Sequence, residues 1–193
     1  MSEIDLTSKP KQDIYLISSK KEILNRRQED SSCLNIIQSI ADLINNVCED
    51  NKTKQKNEKY KYFEIQTEPS ISIKDYLIQL YKFSKPNIST IIITLIYIDR
   101  FCDYNNFTLT KFNIYKLILT SFIVASKYNE DIIYLMDFYS KIGGVPLQML
   151  LKLELEFLFM IKFDLYVKEE LYYQYYNSLN DLNEEEDDEE ENV

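Results

Sequence analysis

Glu154 is the residue whose chemistry most needs a partner. It lies in "PLQMLLKLELEFLFMI" (146–161), whose apolar spacing predicts a helix. At 100° per residue, Glu154 falls within about 60° of Leu147, Leu150, Leu151, Phe157, Leu158 and Ile161. Gln148, Lys152 and Glu156 form a polar stripe on the far side. A carboxylate in the middle of an apolar face is costly unless donors meet it, either from within the fold or from another molecule. Glu154 and Glu156 point about 200° apart, so they cannot flank one substrate as the paired carboxylates of glycosidases do.

Two further charges raise the same question. Lys127 ends the apolar run "SFIVASK", on a face with Lys116, Thr120, Ile123 and Val124. A lysine in the last turn of a helix complements the helix dipole, and this one stands beside a short acidic turn. Asp99 shares a face with Ile92, Leu95 and Ile96, and an internal salt bridge between two helices is its expected resolution.

Other chemistries lack their residues. The chain has no histidine, which removes Ser-His and Cys-His nucleophile pairs. Cys33, Cys48 and Cys102 make neither a disulfide framework nor a four-ligand zinc site, so no metal is expected and a reducing, intracellular setting (cytoplasm or nucleus) fits. No glycine precedes residue 143, so a phosphate-cradling loop is missing and no cofactor is expected.

The elements that hold these residues are expected to be helices. With Gly 2 and Pro 4 in 193 residues, the chain cannot supply the turns that sheets require, so the fold class is all-α. Residues 1–30 read as a polar, mobile leader without a signal-peptide core. A single helical domain follows over 31–180. Its first stripe is "SCLNIIQSIADLINNVC" (32–48), and a charged loop over 49–68 follows, with five lysines between 52 and 61. Helices are then predicted over 71–83, 88–103, 111–128, 131–141 and 146–162, with a tyrosine-rich one over 168–180. Thr108 or Thr110 can cap the third of these, and Asp131 the fourth. Gly143, followed by Gly144, ends the fourth in a left-handed conformation, and Pro146 opens the fifth.

The formal charge of −10 comes mostly from Glu184–Glu191, eight consecutive acids in a tail (181–193) expected to be disordered by self-repulsion. The remainder is near neutral, so composition implies no nucleic-acid surface. The runs 87–98 and 112–125 fall short of a membrane span.

Five segments in order resemble the cyclin box: "PSISIKDYLIQLYKF" (69–83), "LIYIDRF" (95–101), "ILTSFIVASKYNED" (118–131), "FYSKIGGV" (138–145) and "LELEFLFMIKFDLYV" (153–167). The first, with "SKIGGV", looks like the P-type or U-type cyclins, the group that includes fungal phosphate-signalling cyclins. The resemblance covers roughly residues 33–178. It implies a five-helix box with additional N-terminal and C-terminal helices. It also implies a non-catalytic regulatory subunit that binds and activates a cyclin-dependent protein kinase by docking on its C-helix. Lys127 and Glu154 match the family's lysine and glutamate that hydrogen-bond the main chain beside that helix, and Tyr128, Leu158 and Phe163 match apolar positions packing on it. The chain departs from the pattern at Gln79, where many P-type members carry arginine. "PSISI" also lacks the arginine that pairs with the equivalent of Asp99 in mitotic cyclins. The alternative is a cyclin-fold scaffold that binds other proteins or DNA; members of that kind typically have two boxes and a basic surface.

Overall fold

The computed structural model describes the backbone of residues 11–52 and 60–190 and the side chains of residues 31–52 and 60–182. Its elements are α1 (Lys11–Asp50), α2 (Ile73–Ser84), α3 (Ile88–Asn105), α4 (Ile114–Asn129), α5 (Met136–Gly143), α6 (Leu147–Met160) and α7 (Glu169–Glu190). No strand occurs among the described residues. The all-α expectation holds: α2–α6 are the five helices of the box, with α1 and α7 added at either end. The chain divides into two compact units, residues 1–34 and 35–193. The first contains the start of α1, and the second contains the rest of α1 and α2–α7.

α4 is the hub. Every residue from Leu117 to Ser126 is buried, and the helix packs on α2, α3, α5 and α6. α3 is buried throughout Thr90–Ile98. Three hydroxyls inside these helices are satisfied locally: Thr94 donates to the Thr90 carbonyl, Thr120 to Lys116 and Ser121 to Leu117. That back-bonding lets polar residues sit in the core without an unmet donor. Phe101 stacks on Phe157 at 5.4 Å, tying α3 to α6. α1 and α7 meet within the second unit, where Ser39 Oγ donates to the Leu179 carbonyl at 2.8 Å.

Punctuation explains the boundaries. α2 ends at Lys85, in left-handed conformation (φ 44°), just before Pro86. The left-handed residue that stops α5 is its C-cap Gly144 (φ 66°), not Gly143 as expected. Gly143 is the last helical residue, and its requirement is steric: a Cβ there would collide with the Leu119 side chain. α2 seals this end, as Tyr76 Oη donates to the Gly143 carbonyl at 3.0 Å and Gln79 Nε2 to the Ile142 carbonyl at 2.5 Å. Pro146 then caps α6, one residue before its expected place inside the helix.

Four expectations change. Residues 11–30 of the expected leader are helical, since α1 begins at Lys11. α4 starts at Ile114 with Asn113 as N-cap, not at a threonine; Asn113 Oδ1 instead accepts from the Thr110 amide at 2.9 Å and shapes the preceding turn. α5 starts at Met136 rather than Asp131, because Leu135 is extended (ψ 151°) and holds 131–135 out of the helix. α7 runs on as helix through Glu190, into the stretch expected to be a disordered tail; glutamate's strong helix propensity acts against self-repulsion there. Residues 1–10 of the expected leader, 53–59 of the charged loop and 191–193 of the tail lie outside the described residues.

Candidate functional site

α4 and α6 pack side by side, and the last turn of α4 brings Lys127 to Glu154 in the middle of α6. Lys127 Nζ donates to Glu154 Oε1 at 2.5 Å. The two side chains are 34% and 16% exposed. Glu154 is therefore not an isolated buried charge: it sits at the edge of the core with its partner inside the fold. The pair keeps capacity to spare, since an ammonium carries three donors and a carboxylate about four acceptor sites. The acidic turn beside Lys127 is committed elsewhere. The Glu130 carboxylate accepts from the Asn87 amide, the Asn87 side chain and Thr90 Oγ1 at the start of α3.

The wheel placed one apolar arc on α6, and the structure divides it in two. Leu150, Leu153, Phe157 and Ile161 are buried. Leu151, Leu155 and Phe159 face outward, with Phe159 60% exposed and Leu158 half-buried between the stripes. Leu155 and Phe159 belong to the apolar surface but were not among the expected site residues. Their recurrence every four residues after Leu151 was the signal for them. Tyr128 and Phe163 are both more than half exposed, as are Ile132 and Leu135 in the segment after α4.

Phe163 is presented by a turn that α3 holds in place. Lys162 and Phe163 both have positive φ (57° and 54°), a conformation that costs side-chain-bearing residues and is retained where surrounding structure determines it. Tyr97 Oη donates to the Leu165 carbonyl at 2.7 Å, and Arg100 donates to the carbonyls of Asp164 and Tyr166. Lys162 Nζ lies over the Tyr104 ring, 4.8 Å from its centre. The Phe163 ring meets Phe159 edge-on at 5.3 Å. Lys127, Glu154, Leu158 and Phe163 thus sit on or just after elements fixed by the core, and Tyr128 follows Lys127 in the last turn of α4.

Asp99 is elsewhere, on the side of α3 that meets α7. Its partner is not a cation. Tyr175 Oη donates to Asp99 Oδ2 at 2.7 Å. Burial pushes the Asp99 carboxyl above the usual aspartate range, the Tyr175 hydrogen bond opposes this, and the neighbouring Asp103 adds to it. The expected salt bridge is replaced by a hydrogen bond from a neutral phenol, a group that helical periodicity marks only as apolar.

The cyclin family model matches residues 15–165, which include the whole α4–α6 arrangement. The chain belongs to the cyclin family. Among cyclins, it is 33% identical to Cyclin-U4-2 of Arabidopsis thaliana over 150 residues, covering 75% of this chain and 69% of that one. It is 36% identical to Cyclin-U2-2 of the same plant over 118 residues, covering 61% and 51%. It is also 36% identical to the PHO85 cyclin-like protein psl1 of Schizosaccharomyces pombe over 110 residues, covering 56% and 45%. The cyclin described here spans about half the length of the U2 relatives it matches. Among its described residues, no helix is long and apolar enough to cross a membrane, and no cluster of three or more His, Cys, Asp or Glu is arranged to hold a metal ion.

Proposed function

We propose that this cyclin is a non-catalytic regulatory subunit that binds and activates a cyclin-dependent serine/threonine protein kinase by docking on the kinase's C-helix. One observation carries the reading: a partly exposed Lys127–Glu154 pair bordered by uncovered apolar side chains. Tyr128, Leu155, Leu158, Phe159 and Phe163 supply area for the apolar side of a partner helix. The spare donors of Lys127 and acceptor sites of Glu154 suit the unpaired main-chain groups at such a helix's end. Because the two charges already hold each other, neither is an unmet burden before the partner arrives.

The consequence for the kinase is a shift in conformational population. A C-helix held inward keeps its glutamate paired with the β3 lysine, so that the ATP phosphates are aligned. The cyclin contributes no reacting group. Psl1, named for its likeness to PHO85 cyclins, supports a kinase of that general class as the partner.

Affinity purification of the tagged full chain, followed by identification of the co-purifying kinase and a phosphotransfer assay, tests the proposal. Capture and stimulation of a kinase are expected. Lys127→Ala, Glu154→Ala and Phe159→Ala should each reduce both. Undiminished capture by all three variants would remove this surface from the account.

A further inference from the structure

A second groove shares no residue with the Lys127–Glu154 surface. It runs between α1, α3 and α7, with a volume of about 260 Å³ lined by Leu43, Leu95, Asp99, Tyr175, Leu179 and Leu182, among others. It adjoins a cavity of about 150 Å³ that shares Leu43, Leu95 and Asp99 and continues past Val47 and Cys102 toward Phe107. The walls are mostly hydrocarbon. Leu43, Val47 and Leu182 are each more than a third exposed along the rim.

Among the described residues, Asp99 is the only charged one lining either space. Tyr175 engages one of its oxygens, and none of the ion pairs among the described residues includes Asp99. The nearby Asp103 adds negative charge, and the nearby Arg100 pairs with Asp164. Leu182 is followed along the α7 backbone by the acids that begin at Glu184, the densest charge in the chain.

We infer that this groove is a docking site for a basic peptide segment of a partner protein, with a lysine or arginine reaching Asp99 and flanking aliphatic side chains filling the apolar walls. Charge complementarity selects the occupant. A cation restores a counter-charge to a carboxylate held in a low-dielectric wall, and burial of hydrocarbon along the groove adds affinity. The acidic end of α7 steers such a segment toward the groove at low ionic strength. The rim leucines and valine call for a chain with apolar residues on both sides of the cation rather than a free amine.

The test uses the full-length cyclin and a fluorescein-labelled probe peptide of alternating leucine and arginine, about 12 residues long, read by fluorescence anisotropy. Saturable binding is expected, weakening as salt rises. Losing the charge contact or blocking the rim should weaken binding by about tenfold, as expected for a charge-assisted hydrogen bond. Asp99→Asn tests the first, keeping side-chain size and an acceptor for Tyr175. Leu43→Arg tests the second at an exposed position, so that a folding defect at Asp99 would not leave the question open. N-acetyl-arginine amide should compete poorly. Full binding by both variants would assign the affinity to the acidic run alone and overturn the proposal. So would equal affinity for the same peptide with glutamate in place of arginine, or equal competition by the single amino acid amide. Kinase capture is a separate readout: it should be unaffected by Asp99→Asn, so failure here and failure of the C-helix surface are distinguishable.

Discussion

Asn87 and Glu130 are joined twice across the gap between α3 and α4. The Asn87 amide donates to Glu130 Oε1 at 2.8 Å, and the Asn87 side chain donates to Oε2 at 2.7 Å. Asn87 is the N-cap of α3 yet makes no side-chain cap of its own. The carboxylate following α4 therefore serves as the cap of α3, where a helix's unpaired N–H groups favour negative charge. Removing it by Glu130→Ala should cost about 1–2 kcal/mol, the upper range for loss of an N-cap. Glu130→Gln should recover part of that. Urea unfolding curves measure it, and an unchanged midpoint for the alanine variant would refute the cap.

Lys127 and Glu154 should contribute little to folding. A partly exposed pair is worth at most about 1 kcal/mol, because water competes and side-chain entropy opposes it. A double-mutant cycle with Lys127→Ala and Glu154→Ala is expected to give a coupling energy in that range by denaturant unfolding. A coupling several times larger would mean that the pair is a structural clamp, and loss of kinase capture could then be a folding effect.

The two glycines should respond differently to alanine. At Gly143 the new methyl group meets Leu119, which is fully buried, so overpacking of about 1–3 kcal/mol is expected. At Gly144 nothing lies within reach of a Cβ, and the cost is that of the left-handed backbone alone, about 1 kcal/mol. Thermal melts of the two variants should rank Gly143→Ala below Gly144→Ala.

Asp99 gives the fold a pH dependence of definite sign. Its carboxyl is raised above the ordinary 3.8, chiefly by burial, so the folded state holds the proton more tightly than the unfolded state. Such a group favours the fold when protonated, and that advantage is lost as pH rises from the ordinary value through the raised one. Asp99→Asn removes the titration. Its unfolding free energy relative to wild type should improve between pH 4 and pH 7 by urea denaturation. A difference that stays flat, or moves the other way, would contradict the burial assigned here.

The thiols of Cys48 and Cys102 should be slow to react. Burial pushes Cys48 up to about 11 and Cys102 up to about 12, leaving little thiolate at pH 8. Iodoacetamide labelling followed by mass spectrometry should show both positions protected in the native protein and modified in urea. Native labelling of both at the unfolded rate would rule this out.

The helices were legible because each carries its own periodicity and its own stops. Pro86, the two glycines and Pro146 punctuate α2, α5 and α6 within a residue or two of the expected ends. The start of α5 was not legible: the claim of α3 on Glu130 is a long-range contact, and local pattern cannot register it. The same limit applies at the site. A helical wheel reports that Glu154 stands among apolar residues, but which edge of that arc is covered depends on how α4 lies against α6. Leu155 and Phe159 were missed for that reason. Tyr175, 76 residues from Asp99, was invisible as a partner because a tyrosine on an amphipathic face reads equally as core.

The burial of α4 has a mechanical consequence. Ten successive residues of this helix are locked among four neighbours, and the eleventh is Lys127. A load applied to that ammonium passes into a helix braced on four sides. The lysine is thus the end of an axle, and whatever grips it must do the yielding.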